Sequence, residues 1–391
     1  MFRRDIKDWL RKLTNAFRFP VTAPTHCTRT KLWIESHPKQ GKYHVIDEAQ
    51  VGERVPPKTI EGSLHWKFAK SDFSIPETYC ASIPDGRCFS HYGVVITPDH
   101  QVLRDVSIDF KSASHTHFAV KRGNLPGIQR LEGKIGVLVS KGAHHYFHWL
   151  FDALCRVDLL RRSGLQVDRY IVHQSYPFHN QYLELLGIEE ERIVPVEKQT
   201  HIQAEELVVP SLPNATWVVS QRSCSFLRSS IFESLGLRKN QNEGAKRRIY
   251  ISRAKAEKRS VVDEEGLFAY LQDYGFERVI LEGLPVGEQV NLFRSASIVF
   301  SPHGAGLSNL VFCHPKTKVI ELFSPKYVNV CYWSLCSQLD LDYCYLIGEG
   351  KRPPNYVDPH AVSAPIKINL SQVKDALELM DIRPQRVTSK N

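Results

Sequence analysis

The spacing of hydrophobic positions along the chain changes near residue 134. Before it, short alternating segments such as HYGVVIT and QVLRDVSIDF are separated by Pro-Asp and Gly turns, as in irregular antiparallel sheets. After it, short apolar runs alternate with stretches of helical period that end at glycine. Strands that alternate with helices are typical of a parallel sheet covered on both faces. The pattern therefore predicts a partly β lead-in followed by an α/β region.

Two successive series of strands and helices are predicted after the lead-in. The first has strands at 135–139, 170–173, 192–196 and 206–209, with helices at 146–163 and 178–186. The second has strands at 248–252, 278–281, 298–301 and 318–323, with helices at 263–274 and 286–294 and a short one near Leu307. Between them, the segment 236–246 (GLRKNQNEGAK) is polar and aperiodic, as linkers are. We predict a lead-in at 1–130 and two Rossmann-like, doubly wound domains at 131–238 and 239–391.

Residues 1–19 (MFRRDIKDWLRKLTNAFRF) place apolar side chains at helical spacing opposite a face rich in Lys and Arg. Such a basic amphipathic helix is typical of a membrane surface, although a terminal helix docked on its own protein gives the same pattern. The sequence has no run of about 18 apolar residues and no visible signal peptide. We expect a cytoplasmic protein, peripheral at the inner face of the membrane.

Composition and charge narrow the class of protein. The 42% hydrophobic and 24% charged content exclude a disordered, collagen-like or disulfide-packed chain. The 51 Lys and Arg against 42 Asp and Glu give a net charge of +9, which suits an anionic partner. Because the basic residues are dispersed without interleaved aromatics, we expect no nucleic-acid partner. The nine cysteines, without a CxxC, predict reduced thiols, and no cluster has metal-ligand spacing, so we expect no metal.

The strongest motif is SPHGAGLSNLVF at residues 301–312, which follows a predicted strand and opens a short helix. Gly304 and Gly306 let the backbone approach an anion, and a helix N-terminus offers unpaired N–H groups. His303 and Asn309 add side-chain donors. Such a loop predicts a phosphate site, although a glycine turn without a ligand has the same sequence.

Three ligand classes compete for this loop. A dinucleotide fold would use the GxGxx pattern and Glu321, but Asn309 replaces the third glycine and Pro315 ends the helix early. An esterase oxyanion loop needs a GxSxG elbow, which the chain lacks. The third class is a nucleotide sugar, whose diphosphate the loop would hold.

Charged residues beside this loop extend the candidate site. Glu321 lies at the end of the next predicted strand. A carboxylate there can accept hydrogen bonds from both ribose hydroxyls; the alternative is a strand end that is simply solvated. Arg253 directly follows the strand in RRIYISRAKAEKRS (247–260), and Arg259 lies in the loop after it. An arginine guanidinium can donate two parallel hydrogen bonds to phosphate oxygens. We therefore predict that Arg253 and Arg259 bind the donor; the alternative is that they belong to a solvated basic loop.

A second constellation lies in HHYFHWLFD, residues 144–152. His148 and Asp152 are four residues apart and share one face of the predicted helix. A histidine held by a carboxylate is a general-base arrangement, so we predict that this pair is catalytic, against the alternative of a structural histidine.

The segments YFHWLFD, YISR and SPHGAGLSNLVFCHPKTKVIELF resemble the catalytic region of glycosyltransferase family 61, over roughly residues 134–325. That family includes plant xylan-modifying and N-glycan xylosyltransferases, animal O-linked N-acetylglucosaminyltransferases and bacterial polysaccharide enzymes. The resemblance implies two facing Rossmann-like domains in the GT-B arrangement. It also implies a nucleotide-sugar donor in the C-terminal domain, a glycan or polysaccharide acceptor held by the N-terminal one, and no divalent metal or other cofactor.

The resemblance carries over residue by residue. It implies that Arg253 and one run hold the donor diphosphate: His303, Gly304, Ala305, Gly306, Leu307, Ser308 and Asn309. Glu321 would hold the ribose, and His148 and Asp152 would face the acceptor. Ser308 stands where threonine is frequent, and Cys313-His314 replaces the more usual Leu-Pro. We predict sugar transfer by inversion, with a dinucleotide-binding oxidoreductase or a non-catalytic sugar-binding protein as alternatives.

Overall fold

The structure is a computed structural model that describes residues 19–109, 117–215, 217–237, 246–256, 258–352 and 362–385. The predicted amphipathic helix at 1–19 lies outside the described residues, apart from Phe19. Most of the predicted linker also lies outside them.

The described residues form twenty strands. In chain order they are β1 (Val21–Thr22), β2 (His26–Thr28), β3 (Lys42–Asp47), β4 (Gln50–Glu53), β5 (Lys58–Thr59), β6 (Asp72–Ile75), β7 (Thr78–Pro84), β8 (Arg87–Phe89), β9 (Val94–Ile96), β10 (Gln101–Leu103), β11 (Asn124–Leu125), β12 (Gln129–Val137), β13 (Arg169–Val172), β14 (Ile193–Pro195), β15 (His201–Pro210), β16 (Arg247–Ile251), β17 (Phe276–Val279), β18 (Ala296–Pro302), β19 (Lys318–Phe323) and β20 (Asp342–Ile347).

The same residues form nine α-helices. They are α1 (Thr30–Ser36), α2 (Tyr146–His148), α3 (Arg156–Ser163), α4 (Pro177–Leu185), α5 (Gln221–Ser234), α6 (Glu264–Gln272), α7 (Val286–Ser295), α8 (Cys331–Gln338) and α9 (Leu370–Leu379). Short 3₁₀ helices cover Trp66–Phe68, Glu190–Arg192 and Ala305–Phe312, and Trp149–Leu154 is π-helical. This mixture confirms the predicted α/β class.

The chain divides into two compact units. Unit 1 comprises the described residues up to Ala49 together with those of Pro76–Pro213. Unit 2 comprises Gln50–Ile75 and the described residues from Asn214 onward. Each unit has its own sheet and its own buried apolar core.

The sheet of unit 1 contains four parallel strands in the order β14-β13-β12-β15. Numbered along the chain, this is the order 3-2-1-4 of a Rossmann-type half. Strands of the lead-in extend the sheet, because β7 and β8 both pair antiparallel with β15. The lead-in therefore covers what would otherwise be an open edge of the parallel sheet.

The sheet of unit 2 is parallel throughout, in the order β17-β16-β18-β19-β20-β5. Its first five strands have the doubly wound order 2-1-3-4-5, with α6, α7, the 3₁₀ helix Ala305–Phe312 and α8 as connections. The sixth strand, β5, belongs to the segment Gln50–Ile75. This segment is also tied to α8, because Trp333 Nε1 donates to the carbonyl of Val55 at 2.7 Å.

Helix ends follow the glycine signals of the sequence. Shortly after α3, α4 and α6 lie Gly164, Gly187 and Gly275, with φ angles of 70°, 69° and 73°. A helix often ends at a residue in this left-handed conformation, and glycine adopts it most easily because it has no Cβ atom. At the other end of α6, Asp263 Oδ1 accepts from Gly266 N at 3.0 Å as an N-cap.

The nine cysteines are free thiols, and all but Cys27 are buried. The reduced state stays a prediction, made from their odd number and the absence of a CxxC. Burial raises the pKa of Cys80, Cys88 and Cys224 to about 12, so these side chains pack as small apolar groups.

Candidate functional site

The strand order of unit 2 reverses between β16 and β18. In open α/β sheets, ligands bind at the carboxyl ends of the strands that flank such a reversal. Arg253 lies just beyond the end of β16, and His303 and Gly304 follow β18 directly. The fold thus brings together the two segments that the sequence marked as anion-binding.

His303 and Glu321 form a buried pair at this edge. Nδ1 of His303 lies 2.5 Å from Oε1 of Glu321, and the two side chains are 7% and 0% exposed. The other carboxylate oxygen, Oε2, accepts a hydrogen bond from the hydroxyl of Tyr343 at 2.5 Å. Since a buried carboxylate needs a partner for each oxygen, these two contacts account for its burial.

The surroundings of His303 are aromatic and cationic. The rings of Phe323, Tyr327 and Tyr332 lie with their centroids 5.3, 5.6 and 5.3 Å from the imidazole. Burial lowers the pKa of His303, and the nearby charges of Arg259 and Arg253 lower it further, whereas Glu321 opposes them. Glu321 occupies Nδ1 of His303, so Nε2 is the ring nitrogen that does not contact this carboxylate.

Arg253 passes close to the backbone of Gly304. A Cβ atom at position 304 would come within 2.0 Å of Arg253 Nη1, so any larger residue here would displace the end of the arginine side chain. The φ of −174° at Gly304 is ordinary extended backbone. Arg253 Nη2 donates to the carbonyl of Lys258 at 2.8 Å, and burial, together with Arg259, lowers the pKa of Arg253. The carbonyl of Lys258 thus holds the guanidinium of Arg253 next to the loop that contains Gly304.

Arg259 ties the basic loop to the glycine motif. Its Nε donates to the carbonyl of His303 at 2.9 Å, and its Nη1 donates to the carbonyl of Val362 at 2.7 Å. The guanidinium also lies 5.4 Å from the centre of the Tyr327 ring. Two arginines therefore converge on His303, as the sequence predicts for a site that binds phosphate oxygens.

The run after Gly304 is less exposed than the sequence predicts for ligand contacts. Ala305 is exposed and Gly306 half-buried, whereas Leu307, Ser308 and Asn309 are fully buried. Asn309 Nδ2 donates to Gln289 Oε1 at 2.8 Å and to the carbonyl of Gly306 at 3.2 Å. Asn309 thus fastens the 3₁₀ helix to α7, and its Nδ2 is already engaged within the protein.

Glu321 is also placed differently from the sequence expectation. A carboxylate that binds ribose hydroxyls directly must reach the surface, but Glu321 is fully buried and both its oxygens accept hydrogen bonds from protein side chains. In this arrangement its contact with any ligand is indirect, through His303.

The second candidate pair lies in unit 1, on the helical segment that follows β12 and its loop. Nδ1 of His148 lies 2.6 Å from Oδ2 of Asp152, and both side chains are about one-fifth exposed, at 20% and 19%. The structure therefore brings together the two residues predicted to share a helix face. The helix predicted at 146–163 is interrupted here by the π-helical turn Trp149–Leu154, a geometry that is frequent at functional sites.

Two neighbours of this second pair shape its surroundings. Gly142 has φ 91°, and a Cβ there would lie 3.0 Å from His148 Cδ2, so glycine lets the imidazole pack against the loop. Arg156 is fully buried one turn beyond Asp152 and donates to the carbonyl of Val139 at 3.0 Å. Burial lowers the pKa of Arg156 to about 10, opposed by the charge of Asp152.

Residues 146–320 match the model of the glycosyltransferase 61 family. The match runs through both units and includes His148, Asp152, Arg253, Arg259 and His303. Over this region the chain is similar to the glycosyltransferase 61 family, which confirms the resemblance predicted from the sequence motifs and supports a glycosyltransferase in general. Among curated proteins, no significant match to the chain is found.

Sequence reasoning did not identify Tyr343, Gln289 or Arg156. Tyr343 lies in an apolar strand and Arg156 on an amphipathic helix, and neither stands in a recognisable motif. Across the described ranges, no group of three or more His, Cys, Asp or Glu side chains has the geometry of a metal site. Within the same ranges, no helix combines the length and the apolar character needed to cross a bilayer.

Proposed function

We propose that this protein transfers a sugar from a nucleotide-sugar donor to a hydroxyl of a glycan or polysaccharide acceptor, with inversion. The observation that carries the proposal is the convergence of Arg253, Arg259 and His303 at the strand reversal of unit 2. Together with the N-terminal N–H groups of the 3₁₀ helix, they offer positive charge where a diphosphate would gain negative charge.

On the donor side, the proposed reaction breaks the bond between the anomeric carbon and the diphosphate. The electron pair of that bond stays on the leaving nucleoside diphosphate. Arg253, His303 and the N–H groups that open the 3₁₀ helix would stabilise the added charge, the kind of preorganised electrostatics that lowers a barrier most. Glu321 would act through His303, by keeping its Nδ1 engaged and its Nε2 directed to the donor.

On the acceptor side, a hydroxyl oxygen attacks the anomeric carbon and gives up its proton. We propose that His148 accepts this proton, with Asp152 orienting the imidazole through the 2.6 Å contact to Nδ1. A positioned base supports a single displacement, and hence inversion of the anomeric configuration.

The organisation proposed is that of GT-B enzymes, with donor binding in unit 2 and acceptor binding in unit 1. Its support is that each unit has its own parallel sheet with a strand reversal, and each candidate group lies at the carboxyl end of its own sheet. We further propose that no divalent metal is required, since two arginines and a helix N-terminus supply cationic charge to the diphosphate.

We also propose that the segment 1–19, through its basic and apolar faces, holds the protein at the cytoplasmic surface of a membrane. Its net charge favours anionic lipid, at roughly 1 kcal/mol for each Lys or Arg near the surface. Binding of the full chain, but not of a chain lacking 1–19, to anionic liposomes at low salt is the expected result. Equal binding by both chains would contradict it.

Titration of the purified chain with UDP, GDP and NAD tests the proposed donor site. We expect binding of at least one nucleoside diphosphate, weakened by His303→Ala, and no binding of NAD. Binding of NAD alone would support the dinucleotide alternative. A sugar ligand that binds without any nucleotide affinity would support a non-catalytic protein.

A further inference from the structure

Tyr343 lies behind the donor-site pair, on strand β20. Its hydroxyl is 2.5 Å from Oε2 of Glu321, while Nδ1 of His303 is 2.5 Å from Oε1 of the same carboxylate. The three side chains form a continuous hydrogen-bonded series, and the exposed fraction of Glu321 is 0%. The position of the carboxylate is therefore set from both sides: by His303, which faces the site, and by Tyr343, which lies behind it.

The direction of each hydrogen bond follows from the chemistry. An ionised carboxylate only accepts, so the phenol of Tyr343 and Nδ1–H of His303 both donate to it. Burial and the charge of Glu321 raise the pKa of Tyr343 well above its usual value, so this hydroxyl keeps its proton. In the neutral imidazole the other nitrogen, Nε2, is then unprotonated, and protonation of the ring creates a donor at Nε2.

We propose that Tyr343 is a positioning residue for the donor site: by donating to Glu321 it fixes the carboxylate against His303 and limits how tightly the His303–Glu321 pair holds a proton. The inference rests on the proposed function. A carboxylate that already accepts one hydrogen bond is a weaker partner for an imidazolium than one that does not. Loss of the tyrosine hydroxyl should therefore strengthen proton binding by the pair.

Other groups also face this pair and act on its protonation. Arg253 and Arg259 are the charged residues around His303 and disfavour a second positive charge. Several further groups face the pair from the loop after β19 and from α8: Tyr327, Cys331, Tyr332 and Cys336. None of these is changed by a substitution at Tyr343, so a shift produced by that substitution reports on the contact with Glu321.

The test uses Tyr343→Phe, with Tyr345→Phe as the matched control. Tyr345 lies on the same strand, is also buried, and its hydroxyl accepts from His65 N at 2.9 Å instead of contacting Glu321. The histidines are labelled with ¹⁵N, and the His303 signal is identified by its loss in His303→Asn. The spectra are recorded from pH 5 to 9, without ligand and then with UDP or GDP.

In the unliganded wild type we expect the Nδ1–H tautomer of His303. In Tyr343→Phe we expect its titration midpoint to rise by about one pH unit, with no rise in Tyr345→Phe. At pH values above both midpoints, such a shift makes the protonated imidazole about tenfold more populated in the variant. Because the protonated ring has a donor at Nε2, the nucleoside diphosphate should then bind the variant about tenfold more tightly.

If Nδ1 of His303 carries no proton in the wild type, the proposal is overturned, even if Tyr343→Phe does not fold. A folded Tyr343→Phe whose midpoint equals that of the wild type would overturn it as well. If no nucleoside diphosphate binds the wild type at any pH, the proposed function fails, while the spectra without ligand still decide the role of Tyr343.

Discussion

Gly304 illustrates how a glycine can leave room for a neighbouring side chain when its own backbone conformation does not call for glycine. Its φ of −174° suits any residue, but the space that a side chain needs is taken by Arg253 Nη1. The sequence of the motif HGAG predicts an anion-binding loop, yet it does not reveal the close approach of Arg253 to this glycine. Arg253 and Gly304 are some fifty positions apart, and only the pairing of β16 with β18 brings them together.

Gly304→Ala should displace the guanidinium of Arg253 and weaken nucleoside diphosphate binding by roughly 1–3 kcal/mol, the range for a lost charge-assisted hydrogen bond. Calorimetric titration with UDP and GDP measures the change. Gly62→Ala is the matched control, because a Cβ there meets no atom within 4 Å. Equal affinity for Gly304→Ala and Gly62→Ala would show that Arg253 does not contact the ligand.

His303→Ala should weaken the same binding by roughly 1–3 kcal/mol, because it removes the imidazole that Glu321 directs to the site. His314→Ala serves as the control, since His314 lies beyond the far end of the 3₁₀ helix and is only partly buried. Titration of both variants with UDP and GDP, alongside thermal melting, gives the result. Unchanged affinity in a folded His303→Ala would remove His303 from the donor site.

At the scale of elements, the helix that follows β12 carries the acceptor-side hypothesis. The π-helical turn Trp149–Leu154 inserts between α2 and α3 and still leaves His148 and Asp152 in contact. Local pattern predicted both the helix and the pair. The π turn was not predictable, because it depends on how buried residues such as Trp149 pack in the core.

His148→Ala and Asp152→Ala should each lower turnover by about 10²–10⁴-fold, the usual contribution of a general base. The double variant should be little worse than the slower single variant, because the two residues act as one unit. Turnover and nucleotide affinity are measured together, and only turnover should change. Glu184→Ala, an exposed carboxylate on α4 of the same unit, is the control. Normal turnover in both folded variants would contradict a catalytic role.

Elements were predictable wherever a local signal existed. The strand 318–323 was predicted with the bounds that β19 has, and α6 begins directly after Asp263 and ends at Gln272, three residues before Gly275. The 14-residue helix α5 was not predicted, although it is long. Its sequence has serines and arginine among the apolar residues, and its stability comes from packing in unit 2.

At the scale of the whole molecule, the membership of Gln50–Ile75 in unit 2 is a long-range property. It follows from the pairing of β5 with β20 and from the stacking of Phe68 on Tyr345, with ring centroids 4.2 Å apart. No local pattern in a lead-in of short strands signals such a partner. The α/β class and both candidate sites, by contrast, were readable because each depends on a strand followed directly by its own loop and helix.

Unit 1 should make the protein sensitive to acid. Burial lowers the pKa of His179 to about 3 and the pKa of three other buried histidines to about 4: His117, His173 and His201. An unfolded histidine titrates near 6.5, so as pH falls the unfolded chain binds protons first. The stabilisation is complete above about pH 6.5 and is lost as pH falls toward about 4.

Urea unfolding at pH 6.5 and 5.0 should show a loss of roughly 1–2 kcal/mol for each of these histidines. His173→Gln should reduce the loss of unfolding free energy between the two pH values by the contribution of one histidine. His26→Gln, at an exposed position, should leave that loss unchanged. A wild-type free energy of unfolding that is the same at both pH values would contradict the buried, neutral state of these side chains.

The central claim, sugar transfer at a donor site centred on His303, is tested most directly by screening nucleotide sugars with the purified chain in the presence of EDTA. Release of the nucleoside diphosphate is measured with and without glycan acceptors, for the wild type and for His303→Ala. The account predicts release from one nucleotide sugar that persists under chelation, increases with an acceptor, and falls in His303→Ala. Activity that EDTA abolishes and manganese restores would contradict the metal-independent site, and release that is equal in wild type and His303→Ala would contradict the site itself.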